Sequence, residues 1–442
     1  MDSDALRLDV QNSISPIDPA EWNKLAGPDN PFIQHDFLCA LEDGGAVGGN
    51  SGWDIAHLAL YDADDKLVGV APHYLKHHSY GEYIFDHSWA HAYERAGGAY
   101  YPKSICAVPF TPATGPRLLV KNTDAAYKSA MAHGLASLVD ENQLSSSHIN
   151  FLPAEDTVLL AEAGWLIRRG TQFHWQNDGY ENFDGFLDNL SSRKRKNIRK
   201  ERASVRDAGV EMLALTGADI KPHHMDHFYK FYLSTIDRKW GGAYLTRAFF
   251  EIVQSHMADR ILLVMAVYNG TLIGGALNFI GTDTLYGRNW GATTHIQNLH
   301  FEACYYQAID FAIRHKLRCV EAGAQGFHKV QRGYLPVTTY SAHWIPHDGF
   351  RQAVARFYEP SLKALLMNKI KSLWQALLKK PGGDMWQASQ LAVPARLIAV
   401  CSATPLVAGL SPTPAICRQQ HPQWPDRHRS NRQIKAHRQA VF

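Results

Sequence analysis

Between Glu321 and Pro336 the chain reads EAGAQGFHKVQRGYLP. Three glycines share sixteen positions with an acid, two glutamines, a histidine, a lysine, an arginine and a tyrosine. The stretch is too polar for core and too glycine-rich for a plain helix. Glycines allow close backbone approach and expose N–H groups to a ligand. Lys329 and Arg332 suit a phosphate or carboxylate, with Gln325, Gly326 and Tyr334 beside them. His328 and Glu321 are candidate proton acceptors. A structural turn with solvated basic residues is the plainer reading.

Three other places carry chemistry. LHFEACYYQ sets His300 and Glu302 among apolar neighbours. A buried carboxyl there has a raised pKa and suits proton abstraction; an acid bonded to Trp or Tyr on a sheet fits equally. Cys304 as a nucleophile lacks a placeable base. In PFTPATGPRLL the prolines stiffen the loop, and Arg117 is the group for an acidic ligand. RKRKNIRKER, Arg193–Arg202, holds seven basic residues in ten positions, which suits nucleic acid or a solvated helix face with Ile198 as its buried contact. His223 and His227 lie at i, i+4 without an evident third ligand, so no metal site is expected.

The elements that must position these residues recur. ALYDADDKLVGVA (59–71) resembles AVYNGTLIGGA (266–276), each a strand, a turn and a second strand. Asn269-Gly270 is a two-residue hairpin signal. GWLIRRGTQFHW (164–175) aligns with GYLPVTTYSAHW (333–344), both ending in His-Trp. Each is preceded by a helical pattern and a strand. In the second copy Phe301, Cys304, Tyr305, Ile309 and Ile313 form a stripe at helical spacing. Several matches in one order imply an internal duplication of mixed α/β units on a mostly antiparallel sheet. Ser191 or Ser192 caps a helix that Gly209 ends, and VEMLAL is then a strand.

A chain of 442 residues with 45% hydrophobic content accommodates two domains. The net charge of +3 is uneven. Residues 361–442 hold twelve Lys or Arg against Asp384 and Asp426, so the rest is net acidic and the overall sign does not imply nucleic acid. Six cysteines without metal or C-x-x-C spacing read as buried thiols in a reducing compartment. The acidic start, MDSDALRLDV, is no signal peptide. Leu391–Leu410 is interrupted by Arg396 and two prolines and is not a span. A cytoplasmic location is expected.

HSWAHAYERAGGAYYPKSICAVPFTPATGPRLL (87–119), RKWGGAYLTRAFF (238–250), LYGRNWGATTHIQNLHFEACYYQAIDFAI (285–313) and EAGAQGFHKVQRGYLPVTTYSAHWI (321–345) carry a family resemblance. Over roughly residues 15–358 the chain resembles the GNAT-related, Fem-like predicted N-acyltransferases of the peptidoglycan biosynthesis/recognition group. The resemblance implies two tandem GNAT-like domains, 1–180 and 181–358, each a mostly antiparallel sheet flanked by helices. After them, 359–442 is expected to form a helix and then a disordered basic tail.

The resemblance also implies transfer of an acyl group from a thioester donor such as acyl-CoA to an amine. No permanently bound cofactor is implied. A GNAT-type site lies where the fourth and fifth strands of a unit splay, with pyrophosphate held just beyond the fourth. RNWGAT (288–293) occupies that place, so Arg288, Trp290 and Gly291 join the binding set, although Thr293 is β-branched where backbone should approach phosphate. Glu321 then ends the fifth strand, and Glu302, Glu321 or His328 takes the amine's proton. Aminoacyl-tRNA, held by Arg193–Arg202, is the alternative donor for transfer to an envelope precursor. A catalytically silent binding module of the same fold is the third reading, favoured by Phe327 and Thr293; the family tends to carry acids where this chain has Phe327 and His91.

Overall fold

The structure is a computed structural model describing residues 6–237, 242–323 and 327–357. The expected C-terminal helix and tail, as well as Gln325 and Gly326, lie outside the described residues.

Fifteen strands form two sheets among the described residues. The smaller has the order β1 (Arg7–Gln11), β3 (His57–Tyr61), β4 (Leu67–Ala71), β7 (Leu119–Val120). The larger has eleven strands. From one edge, the second half of the chain supplies β10 (Val210–Leu215), β11 (Ile261–Tyr268), β12 (Thr271–Ile280), β13 (Thr284–Ala292) and β14 (Cys319–Glu321). Next come β9 (Leu166–Gln176) and β15 (Leu335–Trp344). From the first half, β8 (Ser147–Leu152), β6 (Lys103–Cys106), β5 (His73–Lys76) and β2 (Trp53–Ile55) complete it.

Each half is antiparallel apart from one parallel pair, β6 with β8 and β13 with β14. Parallel neighbours need a long crossover. Helix Ala125–Glu141 lies in the first; helical residues 299–314 lie in the second. This is the repeated, tandem GNAT-like arrangement. Asn269 and Gly270 take φ of 50° and 74°, as the two-residue turn between β11 and β12 requires.

The duplicated His-Trp segments are β9 and β15, and they are exchanged. β9, from the first half, pairs with β14 of the second; β15, from the second, pairs with β8 of the first. The two also pair with each other, with Thr338 opposite Thr171. One face carries a core continuous between the halves, in which Phe32 lies 5.1 Å from both Phe279 and Tyr286.

The second-half crossover helix departs from its even stripe. Its middle, Glu302–Tyr306, is a π-helical turn between α-helical Leu299–Phe301 and Gln307–Arg314. The turn buries Glu302, Ala303, Tyr305 and Tyr306, while Phe301 and Cys304 of the expected stripe are only partly buried.

Candidate active site

β13 and β14 pair over three positions, ending at Tyr286 opposite Glu321. β13 then follows β12 to Ala292, while β14 stops. Leu277 pairs with Asn289 and Asn278 with Gly287, so Arg288 is the extra residue of a β-bulge. The bulge turns β13 away from β14 and opens a cleft lined by Gly287, Arg288, Trp290 and Ala322. The helical crossover adds His300, Cys304 and Tyr305, and the free space is about 100 Å³.

The polar stretch after β14 lies beside this opening. The short 3-10 helix Phe327–Arg332 brings His328 Nε2 to 2.8 Å from the Tyr305 hydroxyl. His328 is exposed. Partial desolvation of the ring, then Arg332 and Lys329, lower its pKa, which favours the neutral form that can accept a proton. Lys329 is buried and donates to the carbonyls of Ala322 (2.6 Å) and Gly323 (2.9 Å), pinning the chain as it leaves β14. Burial pulls its ammonium down to about 8.

Other candidates are engaged elsewhere. Arg332 lies 3.4 Å over the Phe301 ring and donates to both oxygens of Glu201, at 2.9 and 3.0 Å. Glu302 accepts two bonds from Arg202 (3.0 and 3.2 Å) and one from Gln307 (2.8 Å). These bonds fix the π turn to the basic helix Ser192–Asp207 and occupy the carboxylate. Tyr334 is fully buried, packs on Tyr305 and finds no partner for its hydroxyl. Burial pushes the Cys304 thiol far up, so no thiolate is available there.

Two sequence expectations change. RNWGA is strand, with Thr293 just past its end, rather than a phosphate loop. Gly291 is needed because a Cβ would stand 1.8 Å from the Phe231 carbonyl oxygen on helix Pro222–Asp237, and the Thr293 N–H is spent on Ile273 O at 2.9 Å. Arg117 does not face an open cleft. It is 1% exposed, and its guanidinium donates to the carbonyls of Ala113, Gly115 and Pro116, clamping the proline loop.

That loop and β9 bring the first half to the end of β14. Glu321 is buried, with Arg288 and Arg117 in electrostatic reach. Burial raises its carboxyl to about 8 despite these partners. His174, opposite it on β9, lies 3.8 Å away.

The basic helix is only partly solvated. Arg195, Arg199 and Arg202 pair with Asp188, Asp184 and Glu302, Ile198 is buried, and Arg193, Lys196 and Lys200 stay exposed.

Residues scattered through the first half form a network that no motif signalled. Lys103 is fully buried and donates to Ser79 (3.0 Å), Glu82 (2.9 Å) and Asp86. Burial pushes Glu82 up to about 7. It also pushes Asp86 up, but Lys103 more than offsets this and Asp86 ends below its ordinary value. Tyr100 donates to Asp86 at 2.7 Å, and Nδ1 of His148 lies 2.6 Å from Nδ1 of His343. The sequence signal was faint: KSIC gives a strand a lysine where the pleat turns inward.

Among the described residues no helix is long and apolar enough to cross a membrane, and no group of three or more His, Cys, Asp or Glu could hold a metal. No curated protein matches the sequence. Three solved structures are broadly similar. FemX is 11% identical, covering 77% of this chain and 98% of its own, at a TM-score of 0.49. L-PGS from Bacillus licheniformis is 9% identical over 77% and 96%, at 0.44. A tandem GNAT protein from the clavulanic acid biosynthesis pathway is 10% identical over 77% and 98%, at 0.40. At these scores the likenesses carry no functional weight. The sequence model of one family, described as peptidoglycan biosynthesis/recognition, matches residues 13–377, and the chain belongs to this FemAB-like family.

Proposed function

We propose that the protein transfers an acyl or aminoacyl group from an activated carrier to an amine of a cell-envelope precursor. The donor carbonyl would sit where β13 and β14 part. The observation that carries this reading is the opening itself: a parallel pair that ends after three residues, beside a bulge, with a proton acceptor at its rim. A carbonyl inserted there leaves one side open to an incoming amine. His328, neutral and bonded to Tyr305, would take the amine's proton as nitrogen attacks. Lys329 would hold the end of β14 in place. The family description supports an envelope acceptor.

An acyl-CoA-like thioester is the first donor considered. The exposed cations Arg193, Lys196 and Lys200 favour a second, aminoacyl-tRNA, since their helix is tied to the cleft through Glu201 and Arg332. The full chain should be tested by thermal shift against CoA, acyl-CoAs and bulk aminoacyl-tRNA. A ligand at a hundredfold excess over Kd stabilises by about 2.7 kcal/mol. Transfer to an amine should fall roughly 10²–10⁴-fold in His328→Ala. Silence with all donors would leave a binding module and sink the transferase reading.

A further inference from the structure

We propose that Glu201, on the basic helix Ser192–Asp207, is the positioning residue for His328. Through Arg332 it fixes the backbone that carries the imidazole, and through Tyr306 it fixes the turn that carries the imidazole's partner, Tyr305. This rests on the transfer reading above, in which His328 receives the amine's proton.

His328 needs such support. A proton acceptor works only within hydrogen-bond reach of the proton it takes. His328 is exposed and sits on a short 3-10 helix, whose hydrogen-bond geometry is poorer than that of an α-helix. Two side chains set its place. Its backbone carbonyl accepts from Arg332 Nη1 at 2.9 Å, and its Nε2 shares a hydrogen bond with the Tyr305 hydroxyl at 2.8 Å.

Both contacts lead to Glu201. Arg332 turns its other terminal nitrogen to the two Glu201 oxygens, at 2.9 and 3.0 Å. Tyr306, next in sequence to Tyr305, donates its hydroxyl to Glu201 Oε2. The contacts close a circuit from Glu201 through Arg332, His328, Tyr305 and Tyr306 back to Glu201. Arg202 grips the other end of the same π turn, pairing with Glu302 at 3.0 Å. Adjacent residues of the basic helix thus pin the first and last residues of the turn that holds Tyr305. Such turns are frequent at functional sites.

The charges assign the same role. Between Arg193 and Arg202, Glu201 is the sole acid among seven basic residues. Arg332 is 5% exposed, its Nε is buried without a partner, and its guanidinium lies 3.4 Å over the Phe301 ring. Among the described residues, Glu201 is the acid that pairs with it. A buried cation of this kind depends on its counter-ion. The groups facing His328 are Arg332 and Lys329 from its own helix, and His300, Phe301 and Tyr305 from the crossover. None is an acid, so the charge of Arg332 is balanced from Glu201.

Histidine-selective NMR of the full chain tests this without a substrate, with His328→Ala identifying the signal. Glu201→Gln keeps the side chain's shape and removes its charge. The Nε2 signal of His328 should then lose the shift that marks its bond to Tyr305, as it does in Tyr305→Phe. The unopposed Arg332 cation should also lower the His328 titration midpoint, by about half a pH unit. Should Glu201→Gln not fold, the double variant Glu201→Gln/Arg332→Met removes the pair without leaving a lone charge and should show the same change at Nε2.

Transfer supplies a second readout. Glu201→Gln should lower kcat by about 10–100-fold with the donor KM within about threefold. In a His328→Ala background the same change should cost less than about twofold, because it acts through the imidazole. If the His328 signal ignores these changes in folded protein, or if the kcat loss is as large without His328 as with it, the proposal is overturned. If no donor supports transfer, the transfer reading fails and the NMR result alone decides the role of Glu201.

Discussion

His174 and His343 hold equivalent places on the two exchanged strands, and each faces a titratable residue on the other half's parallel strand: Glu321 opposite His174, His148 opposite His343. One scaffold position carries an acid–imidazole contact in one copy and an imidazole pair in the other. The second-half pair adjoins a cleft because β14 stops after Glu321. The first-half pair is sealed: His148 and His343 are both buried, with the Trp89 ring packed against each.

Lys103→Met should destabilise the fold by roughly 3–5 kcal/mol, since it strips the buried Asp86 and Glu82 of their cation. Urea unfolding at pH 7 measures this, and a loss under about 1 kcal/mol would show that the acids do not depend on Lys103.

Glu321 links stability to pH. Its folded pKa, about 8, lies above the ordinary glutamate value of 4.5. Between those values the folded state holds a proton that the unfolded state has lost, so stability falls as pH rises through that window. Glu321→Gln cannot ionise and should exceed the wild type at pH 8–9 by roughly 2–4 kcal/mol, with no such gain at pH 4. Melting curves at both pH values decide this.

Glu302 and Arg202 separate structure from chemistry. Arg202→Ala leaves the buried Glu302 with only Gln307 and should cost about 3–5 kcal/mol. Glu302→Gln should keep kcat within about tenfold, because the carboxylate is held by Arg202 rather than free to act as a base. A kcat reduced a thousandfold in folded protein would restore Glu302 as the base.

Gly291→Ala places a methyl group where the Phe231 carbonyl stands. Displacement of helix Pro222–Asp237 should cost about 3 kcal/mol or more, read as a lowered Tm. Unchanged stability with weakened donor binding would return Gly291 to the phosphate role.

Reversing Arg193, Lys196 and Lys200 to glutamate leaves the ion pairs of Arg195, Arg199 and Arg202 intact. With an aminoacyl-tRNA donor, retention of tRNA and the salt dependence of binding should both fall, by about one unit of slope per cation lost. Tm should hold. Equal binding before and after would place the carrier elsewhere.

The amino-acid sequence determined the repeat. Paired hairpins, the Asn269-Gly270 turn, the strand VEMLAL and the twin His-Trp segments are local patterns of alternation and turn chemistry, legible without the fold. It also marked Glu321, His328 and Lys329, because glycines beside polar groups after an apolar run stand out. Tertiary structure decided which of these groups has a free face. RNWGAT looks loop-like until Gly291 is seen beneath a helix, and Arg117 looks available until its own loop carbonyls enclose it. The strand exchange places His174 beside Glu321, 147 positions later in the chain. Strand order is a property of long-range pairing, which no local window encodes. A carboxyl's protonation depends on burial and on partners that such pairing alone assembles.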